Sequence, residues 1–559
     1  MLVILDDGPR RVFSAPFGII RADSPGEVPA ALAAVEAALA RGHHVAGWLG
    51  YELGHVLEPR LGPPPPIPLL RLGIFQPPSP KAPALQGRAY AGPLVPEWNA
   101  AAYGLRFAQV KDLIAAGDIY QANLSFRARF AFLGDAQALY EDLRAASAAP
   151  HCGFVNDGES QILSLSPELF FELTADGHLT VRPMKGTIAR CGDDASERSR
   201  LANSTKDRAE NLMIVDLIRN DLSRIAEGGS VEVSDLFRVE TYPTLHAMVS
   251  TVRARKREDA GIAEIVRALF PCGSVTGAPK IRAMEILRNL EDSPRGVYCG
   301  AVGHFAPAPD NRFSARFNVA IRTLTIEGGR GELGIGGGVV QDSRADSEYA
   351  ECRVKARFFE TGRKPLMLIE TLRHDGGFVR LGQHLARMAS SARALGFPFD
   401  EDAALAALNA AVAGAKGALR LRLTLDEAGQ CKAAAHGLPP NPPHWRYRIS
   451  PERTQSSDQL LRHKTSRREL YDRDHPDCDE MLFCNEHGEL TEGARSNIFI
   501  RRDGLLLTPP LEAGLLPGIL RAELIARGEA RAAVLTPDDL KGDVYLGNSL
   551  RGLIVAKPG

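Results

Sequence analysis

The run KDRAENLMIVDLIRNDL, residues 206–222, organises the first part of the chain, because its almost wholly apolar centre predicts a helix. Glu210 falls on the predicted first turn of that helix. Around it, helix patterns such as Tyr103–Ala116 alternate with strand-like runs such as Gln161–Leu165. We therefore expect a domain of mixed helices and strands.

Two further runs carry reactive side chains beside residues that restrict or free the backbone. SLSPELFF carries Glu168 next to a proline and just before an apolar stretch. RPMKGT carries Lys185 between a proline and a glycine. Packing alone does not call for an acid and a lysine at such positions, so we regard both as candidate catalytic residues.

Three glutamates form a candidate metal site. Glu348 and Glu351 are three positions apart in SEYAECRVK and share one face of a predicted helix, where like charges repel unless a cation lies between them. Glu210 adds a third carboxylate from another helix, and carboxylates with water are the ligands that Mg²⁺ prefers. An alternative stays open: Glu351 pairs with Lys355, and Glu210 only favours the N-terminus of its helix.

The run GIGGGVV is interpreted as a glycine turn before that second helix. Gly336, Gly337 and Gly338 would let backbone N–H groups converge on an anion, because no side chain blocks the approach. It lacks the third glycine of a dinucleotide fingerprint, and GSVTGAPK (273–280) has the wrong spacing for a phosphate loop.

Composition narrows the function classes. The chain has 559 residues, 44% apolar and 24% charged, which predicts several domain-sized units of ordinary globular type. A net charge of −1 argues against a nucleic-acid partner. None of the eight cysteines has CxxC spacing, which argues against a zinc site or a disulfide scaffold. With neither a signal peptide nor an apolar span in the sequence, we expect no membrane association and a cytoplasmic location.

The breaks in the pattern predict two unequal domains in series. The first covers residues 1–361, with an N-terminal part (1–97) that includes an irregular proline-rich connector, and a core (98–361). A short linker (362–366) follows a helix that ends at a glycine with a proline just beyond. The second domain covers residues 367–559.

The order SPE, PMKGT, DRAENLMIVDL, HAMVST, GSVTGAPK, VYCG, IRTL, GGGVV and EYAE resembles the chorismate-utilising family, densely over about residues 100–360. That family includes anthranilate, isochorismate, salicylate and aminodeoxychorismate synthases. The resemblance implies an α+β fold with two large, mainly antiparallel sheets packed as a sandwich. It also implies that Mg²⁺ bridges a substrate carboxylate to Glu210 and Glu351 with Glu348 nearby. The implied substrate-binding residues are His246, Thr276, Tyr298, Arg322, Gly336, Gly337 and Gly338.

Within this family, the residue before the GT pair separates the chemistries. Anthranilate and isochorismate synthases resemble PIAGT or TIAGT there, whereas this chain has Lys185, the pattern of aminodeoxychorismate synthase component I. A lysine amine can attack ring carbon 2 of chorismate and expel the hydroxyl at carbon 4, which Glu168 would protonate. Ammonia would then add at carbon 4. The chain lacks the cysteine elbow of a glutaminase, so we expect a separate amidotransferase subunit as partner.

The second part reads physically as EMLFC, GELTE and SNIFI in a strand–turn–strand set, followed by a helix that Gly518 opens. With HKTSRRELYD and NSLRG, it resembles the fold-type IV pyridoxal-phosphate family, an α/β domain, and most closely aminodeoxychorismate lyase. The resemblance implies covalent attachment of the cofactor to Lys464 and pairing of Glu492 with its pyridinium nitrogen. The implied phosphate contacts are Arg387, Ser496, Asn497, Ile519 and Leu520. Relatives often have Thr where this chain has Leu520, so a hydroxyl contact is lost.

Together the two resemblances predict synthesis of aminodeoxychorismate followed by expulsion of pyruvate to give para-aminobenzoate for folate synthesis. Fold-type IV relatives are usually dimers, which implies a homodimer through the second domain. The alternatives are an anthranilate-type synthase fused to a D-amino acid or branched-chain aminotransferase, and a non-catalytic scaffold. Lys185 argues against the first, and the presence of every candidate catalytic residue argues against the second.

Overall fold

The computed structural model describes residues 1–242, 245–473 and 476–559, and its contacts divide the chain into two compact units. The first unit comprises residues 1–83, 94–129 and 140–362. The second comprises residues 84–93, 130–139 and 363–559. Two short segments of the first part of the sequence thus group with the second unit, which the sequence patterns did not indicate.

The strands are β1 (Leu2–Asp6), β2 (Arg11–Phe13), β3 (Gly18–Ala22), β4 (His44–Leu49), β5 (Leu70–Phe75), β6 (Ala89–Ala91), β7 (Val95–Pro96), β8 (Gln121–Gly134), β9 (His151–Asn156), β10 (Gln161–Ser166), β11 (Leu169–Leu173), β12 (His178–Val181), β13 (Met184–Ala189), β14 (Glu232–Thr241), β15 (Leu245–Arg255), β16 (Gly277–Ala278), β17 (Ala301–Pro307), β18 (Phe313–Val319), β19 (Thr323–Glu327), β20 (Arg330–Val339), β21 (Leu368–His374), β22 (Leu419–Leu425), β23 (Cys431–Gly437), β24 (Trp445–Thr454), β25 (Glu480–Asn485), β26 (Leu490–Gly493), β27 (Asn497–Arg502), β28 (Leu505–Thr508), β29 (Ala530–Ala532), β30 (Asp543–Asn548) and β31 (Gly552–Pro558). The α-helices are α1 (Val28–Ala40), α2 (Leu53–Leu57), α3 (Ala100–Ala115), α4 (Ala136–Ser147), α5 (Asp194–Ala202), α6 (Thr205–Ser223), α7 (Ile262–Leu269), α8 (Lys280–Leu290), α9 (Ala345–Gly362), α10 (Leu381–Leu395), α11 (Glu401–Val412) and α12 (Ile519–Ala526).

Two large antiparallel sheets form the first unit, as the sequence predicts. One has the order β16-β8-β20-β19-β10-β9-β1-β2, and the other has the order β13-β15-β12-β11-β18-β17-β4-β5-β3. Buried side chains from both sheets, among them Val3, Ile162, Trp48 and Val302, form one cluster. The apolar faces of the sheets are therefore buried against each other, as in a sandwich.

Helix α6 contains the run quoted first. Ile214, Val215, Ile218 and Leu222 are buried at the spacing of one helical face and belong to the core that also includes strands of the second sheet. Ser204 caps the helix by accepting a hydrogen bond from the Asp207 N–H. Because α6 begins at Thr205, Glu210 lies in its second turn and not in its first. The helix N-terminus therefore does little to stabilise its charge.

Two neighbouring connections pass from one sheet to the other. Strands β10 and β19 pair in the first sheet, and their continuations β11 and β18 pair in the second. Glu168 lies on the β10–β11 connection, and Arg322 lies on the β18–β19 connection. The backbone of Arg322 has φ 49°, a left-handed conformation that is uncommon for a residue other than glycine. The two crossings therefore place an acidic and a basic side chain at neighbouring strand ends.

The second unit contains two further sheets. Strands β21, β22 and β23 form an antiparallel sheet, and the other sheet has the order β26-β25-β24-β31-β30-β27-β28-β29. Helix α10 packs its buried residues, among them Leu385 and Met388, into the core of the three-stranded sheet. Gly518 precedes α12, as predicted, and Gly488 at φ 82° makes the turn between β25 and β26.

Two expectations from the sequence are wrong. The proline-rich stretch before residue 97 is not an irregular connector throughout, since β5 runs within it as a buried strand of the second sheet. Gly336, Gly337 and Gly338 are not a turn, since all three lie inside β20. The sequence pattern failed because glycine runs are most often turns, whereas here they permit close packing within a sheet. Among the described residues, we find no helix long and apolar enough to cross a bilayer.

Candidate active sites in the two units

Lys185 lies on β13, and its Nζ donates a hydrogen bond to the Ser274 carbonyl oxygen over 3.2 Å. Ser274 is buried in a short 3₁₀ turn, Gly273–Val275, within the run GSVTGAPK. In this fold the run presents a backbone carbonyl oxygen to the lysine. A carbonyl oxygen accepts hydrogen bonds and cannot donate one to a phosphate, so the run does not act as a phosphate loop.

Glu168 is buried, with 4% of its surface exposed, and its Oε1 has no hydrogen-bond partner among the described residues. Burial raises the pKa of this carboxyl to about 7, although a hydrogen bond from the Ser274 side chain and the charge of Lys185 oppose the shift. Near neutral pH the group is therefore partly protonated. A partly protonated carboxyl that senses the charge of Lys185 can act as a general acid.

The three glycines of β20 leave room for these groups. A Cβ at Gly338 would lie 3.7 Å from the Lys185 Nζ and 2.4 Å from the Gln121 Nε2. A Cβ at Gly337 would lie 3.5 Å from both the Glu348 Oε2 and the Lys355 Nζ. Gly338 therefore lies beside Lys185 and Gly337 beside Glu348, and neither residue adds a side chain of its own at these positions.

The three glutamates proposed for Mg²⁺ have lysine or serine partners here. Glu351 Oε1 lies 2.9 Å from the Lys355 Nζ, and Glu210 Oε1 lies 3.9 Å from the Lys206 Nζ. Glu348 is buried and accepts a 2.7 Å hydrogen bond from the Ser343 hydroxyl. The alternative pairing of Glu351 with Lys355 is thus present, and Glu210 makes a longer ion pair with Lys206.

Electrostatics nevertheless connects the glutamates and Lys185. Burial raises the pKa of Glu210 and the charge of Glu348 adds to this, while Lys185 and Lys206 oppose it. Burial also acts to raise the pKa of Glu351, but Lys355, Lys206 and Lys185 together lower it. The carboxylate oxygens are the kind of donor that Mg²⁺ prefers, and a bound cation would take the place of the ammonium groups that pair with Glu210 and Glu351 here.

His246 is fully buried on β15, but its contacts are not with Lys185 or Glu168. Its Nε2 lies 3.4 Å from both Asp194 and Glu197, and its Nδ1 lies 3.0 Å from the Thr241 hydroxyl. Among the described residues, this is the one acidic and histidine set whose ligand atoms all lie within 4.8 Å of one another. Arg190 donates two 2.7 Å hydrogen bonds to Asp194, so an arginine already balances part of that charge. We regard the set as one that orients the imidazole.

Three residues were predicted to hold substrate carboxylates. Thr276 is buried and donates its hydroxyl proton to the Gly273 carbonyl oxygen over 3.1 Å. Tyr298 is buried, with the Arg127 guanidinium 5.2 Å from its ring centroid. The Arg322 guanidinium has no ion pair within residues 1–242, 245–473 and 476–559, and burial lowers its pKa. It is the best placed of the three to bind a carboxylate, because its fork of donors is unused.

In the second unit, Lys464 follows a short 3₁₀ turn, and its carbonyl oxygen accepts a hydrogen bond from the Ile369 N–H of β21. Burial, together with the charges of Arg468 and Arg387, lowers the pKa of its ammonium to about 7, although Glu370 and Glu492 oppose the shift. This lysine is therefore not the solvated surface residue that its polar sequence suggests. A partly neutral amine is the form that condenses with an aldehyde.

Glu492 is the buried carboxyl of this site. It accepts hydrogen bonds from the Tyr471 hydroxyl and from the Leu516 N–H, each over 3.2 Å. Burial raises its pKa to about 7, against the opposing charge of Arg468. Such a carboxyl can share a proton with a ring nitrogen, as the resemblance implies.

The predicted phosphate contacts meet around the start of α12. Arg387 donates to the Pro517 carbonyl oxygen over 3.0 Å, and the Asn497 amide donates to the Leu516 carbonyl oxygen over 3.3 Å. A Cβ at Gly518 would lie 1.7 Å from the Asn497 Oδ1, so the chain approaches closely there. Ile519 and Leu520 are the first residues of α12, whose N–H groups suit an anion. Ser496 is instead bonded to Glu480 over 2.8 Å.

Sequence reasoning missed three side chains that complete these sites. The Ser274 hydroxyl contacts Glu168, whereas its backbone carbonyl oxygen accepts from Lys185. Tyr471 contacts Glu492, and Glu370 binds Arg387. Ser274 and Tyr471 lie in GSVTGAPK and HKTSRRELYD, runs already singled out. Neither has a distinctive spacing, so only the folded chain reveals the contact.

Residues 10–361 match the family described as chorismate binding enzyme, and residues 367–557 match the family described as amino-transferase class IV. The chain thus joins two enzyme families in series. Aminodeoxychorismate synthase component 1 of Salmonella typhimurium is 44% identical over 44% of this chain and 54% of the relative. Anthranilate synthase component 1 of Methanothermobacter marburgensis is 36% identical over the same shares, 44% and 54%.

The chain spans about half the length of the curated relatives it matches. Among solved structures, anthranilate synthase component I from Streptococcus pneumoniae has a TM-score of 0.50 and is 26% identical, with 57% of this chain and 80% of that chain covered. These likenesses agree with the two-sheet fold, and the predicted α+β class followed by a fold-type IV domain is confirmed.

Proposed function

Because the chain belongs to the chorismate-binding enzyme family, we propose that its first unit aminates chorismate to aminodeoxychorismate. The observation that carries this proposal is the contact set of Lys185, which joins a lysine amine to the buried acid Glu168 through Ser274. The relatives named aminodeoxychorismate synthase are more similar to this chain than the anthranilate synthase above, which supports amination at carbon 4 over the anthranilate-type alternative.

In the proposed reaction, the unprotonated Lys185 amine attacks ring carbon 2, both conjugated double bonds of the ring shift, and the hydroxyl at carbon 4 leaves. Glu168 gives that hydroxyl its proton, so that water departs in place of hydroxide. Ammonia then adds at carbon 4, and the bond from Lys185 to carbon 2 breaks. Glu168 recovers a proton from the incoming amine, which returns both residues to their starting state.

Substrate binding is assigned to the groups around this pair. Arg322 would offer its guanidinium fork to a carboxylate, and the buried residues Thr276 and Tyr298 are assigned with it to substrate binding. The glycines of β20 would let the substrate ring approach the backbone of that strand. Glu210, Glu348 and Glu351 would hold Mg²⁺, which would supply positive charge to a second substrate carboxylate when bound.

The second unit is proposed to act on the product of the first. Pyridoxal phosphate, when bound, would provide an electron sink at the ring that Glu492 faces. Lys464 would remove the proton at substrate carbon 4 and return a proton as pyruvate departs. Its pKa of about 7 allows both transfers near neutral pH. The product is para-aminobenzoate, and aromaticity drives the step.

Ammonia is proposed to come from a separate amidotransferase, since the similar relatives are named component 1 of a synthase. The decisive experiment incubates the protein with chorismate, Mg²⁺, ammonium and pyridoxal phosphate and measures para-aminobenzoate by chromatography. Formation of para-aminobenzoate supports both units, and accumulation of aminodeoxychorismate supports the first alone. Anthranilate as the product would overturn the proposal for the first unit.

A further inference from the structure

The second unit contains a buried chain of hydrogen bonds that the proposed lyase reaction does not use. His384 Nδ1 lies 2.6 Å from the Glu370 Oε2, and His384 Nε2 lies 2.8 Å from the Ser549 Oγ. Both Glu370 and His384 are 1% exposed, and Ser549 is 8% exposed. Solvent therefore does not hydrogen-bond to these groups, and each group depends on its neighbour in the chain for a hydrogen bond.

Arg387 fixes the charge at one end of this chain. Its Nε and one terminal nitrogen donate to the two Glu370 oxygens over 2.8 Å and 2.7 Å. Burial would raise the pKa of Glu370, but Arg387 and the bond from His384 bring it to about 2. Glu370 is thus a carboxylate, which only accepts hydrogen bonds, so His384 Nδ1 must carry a proton.

The state of the other ring nitrogen then decides where the Ser549 proton points. A neutral His384 has a lone pair on Nε2, and it takes the Ser549 proton as an acceptor. A protonated His384 donates from Nε2 to the Ser549 oxygen, which frees the hydroxyl proton for another acceptor. Burial lowers the pKa of His384, and so do the neighbouring charges of Arg387 and Lys464. Glu370 acts to raise this pKa but does not offset the other effects. The unliganded protein therefore holds His384 neutral at pH 7.

Ser549 lies at the end of β30 that adjoins the proposed phosphate site. Gly547, two residues before it, pairs with Asn497, and a Cβ at Gly547 would lie 3.1 Å from the Leu520 Cδ2. Arg387, at the far end of the chain, also bonds to Pro517 beside the start of α12. Both ends of this chain of hydrogen bonds therefore lie beside the elements that are proposed to hold the phosphate.

We propose that Glu370, His384 and Ser549 are positioning residues that direct the Ser549 hydroxyl proton to the cofactor phosphate, with one proton taken up by His384 on binding. The inference rests on the proposed function of the second unit. A phosphate dianion accepts hydrogen bonds and donates none, so it favours the arrangement in which Ser549 donates. The proton comes from solvent, and no bond other than hydrogen bonds forms or breaks.

The sign of the coupling follows from linkage. A bound dianion raises the pKa of His384, so the complex binds one more proton than the free protein does. Between the two pKa values, affinity for the phosphate form therefore falls about tenfold for each unit rise in pH. Pyridoxal has no phosphate, so its affinity should lack this pH dependence. It should keep only the pH dependence that Lys464 contributes.

The test titrates the protein, freed of cofactor, with pyridoxal phosphate and with pyridoxal between about pH 7 and 9, where the phosphate is already a dianion. Dissociation constants come from the visible absorbance, and proton uptake comes from calorimetry in two buffers of different ionisation enthalpy. Wild type should show phosphate-dependent uptake approaching one proton. His384→Gln should lose that uptake and flatten the pH profile, whereas His436→Gln, at an exposed position on β23, should match wild type.

Ser549→Ala should flatten the pH profile of affinity in the same way, and Ser549→Thr should restore it. This second pair of variants tests the inference even if His384→Gln misfolds. Equal proton uptake with pyridoxal and its phosphate, or an unchanged pH profile in His384→Gln, would overturn the inference. Failure of both compounds to give a visible band would instead reject the proposed function of the second unit, and the inference with it. A band with no pH-linked phosphate effect would reject the inference alone.

Discussion

Each unit of the chain places a lysine near a buried glutamate whose pKa is about 7, yet the charges around the two pairs are opposite. Lys185 lies among carboxylates, since Glu168, Glu210 and Glu351 all sense its charge. Lys464 lies among arginines, since Arg468 and Arg387 both lower its pKa.

The difference matches the demands of the two proposed reactions. Carboxylates around Lys185 can bind a cation and supply a proton to a leaving hydroxyl. Arginines around Lys464 favour its neutral form and attract an anionic cofactor. The same pair of residue types therefore serves two chemistries because its neighbours differ.

Loss of Lys185 should have the largest effect. We expect Lys185→Ala to lower chorismate amination by at least about a thousandfold, since a nucleophile has no substitute in the site. Release of para-aminobenzoate from supplied aminodeoxychorismate should stay at the wild-type rate. Amination within about threefold of wild type would end the nucleophile assignment.

The converse variant, Lys464→Ala, should abolish the visible band of bound pyridoxal phosphate and lower lyase turnover by about a thousandfold or more. Chorismate amination should continue, and aminodeoxychorismate should accumulate. A variant that loses both activities would show that the two units depend on each other. Circular dichroism of each variant controls for misfolding.

Glu168→Gln should separate the acid from the nucleophile. We expect kcat for amination to fall about a hundredfold to ten-thousandfold, because the amide cannot protonate the leaving hydroxyl. In wild type, kcat/KM should decline above about pH 7, since a raised pKa means that the acid form is lost as pH rises. That alkaline decline should vanish in the variant, and Glu168→Asp should retain it with a lower rate. An unchanged profile in Glu168→Gln would assign the acid elsewhere.

These tests bear on what the sequence could and could not predict. The motif order identified the two-sheet fold and both lysines, because strands, helices and short motifs are local properties. The glycines of β20 were mistaken for a turn, since the contacts that require them come from Gln121 and Ser125, more than two hundred positions away in the chain. His246 was placed near substrate by resemblance, yet its contacts with Asp194 and Glu197 depend on how α5 packs.

The smallest expected effect concerns Leu520, where relatives often have Thr. Its side chain belongs to a core cluster with Phe499 and Leu524, so its hydrocarbon packs inward and only its N–H faces the proposed phosphate site. Leu520→Thr should lower the free energy of unfolding by about 1–3 kcal/mol, measured by urea denaturation. Its dissociation constant for pyridoxal phosphate should change by less than about fivefold. A gain of tenfold or more would mean that the lost hydroxyl matters.

The contact between Lys185 and Ser274 has a consequence for mutational scanning. The lysine is held by the Ser274 carbonyl oxygen, an atom that every substitution at this position retains. Replacements of Ser274 would therefore remove only its hydroxyl, which hydrogen-bonds to Glu168. They would leave the contact with Lys185 intact, so a library of such replacements would not reveal that contact. No substitution at position 274 can remove the contact that holds the proposed nucleophile, so that contact can be altered only by moving the turn Gly273–Val275 as a whole.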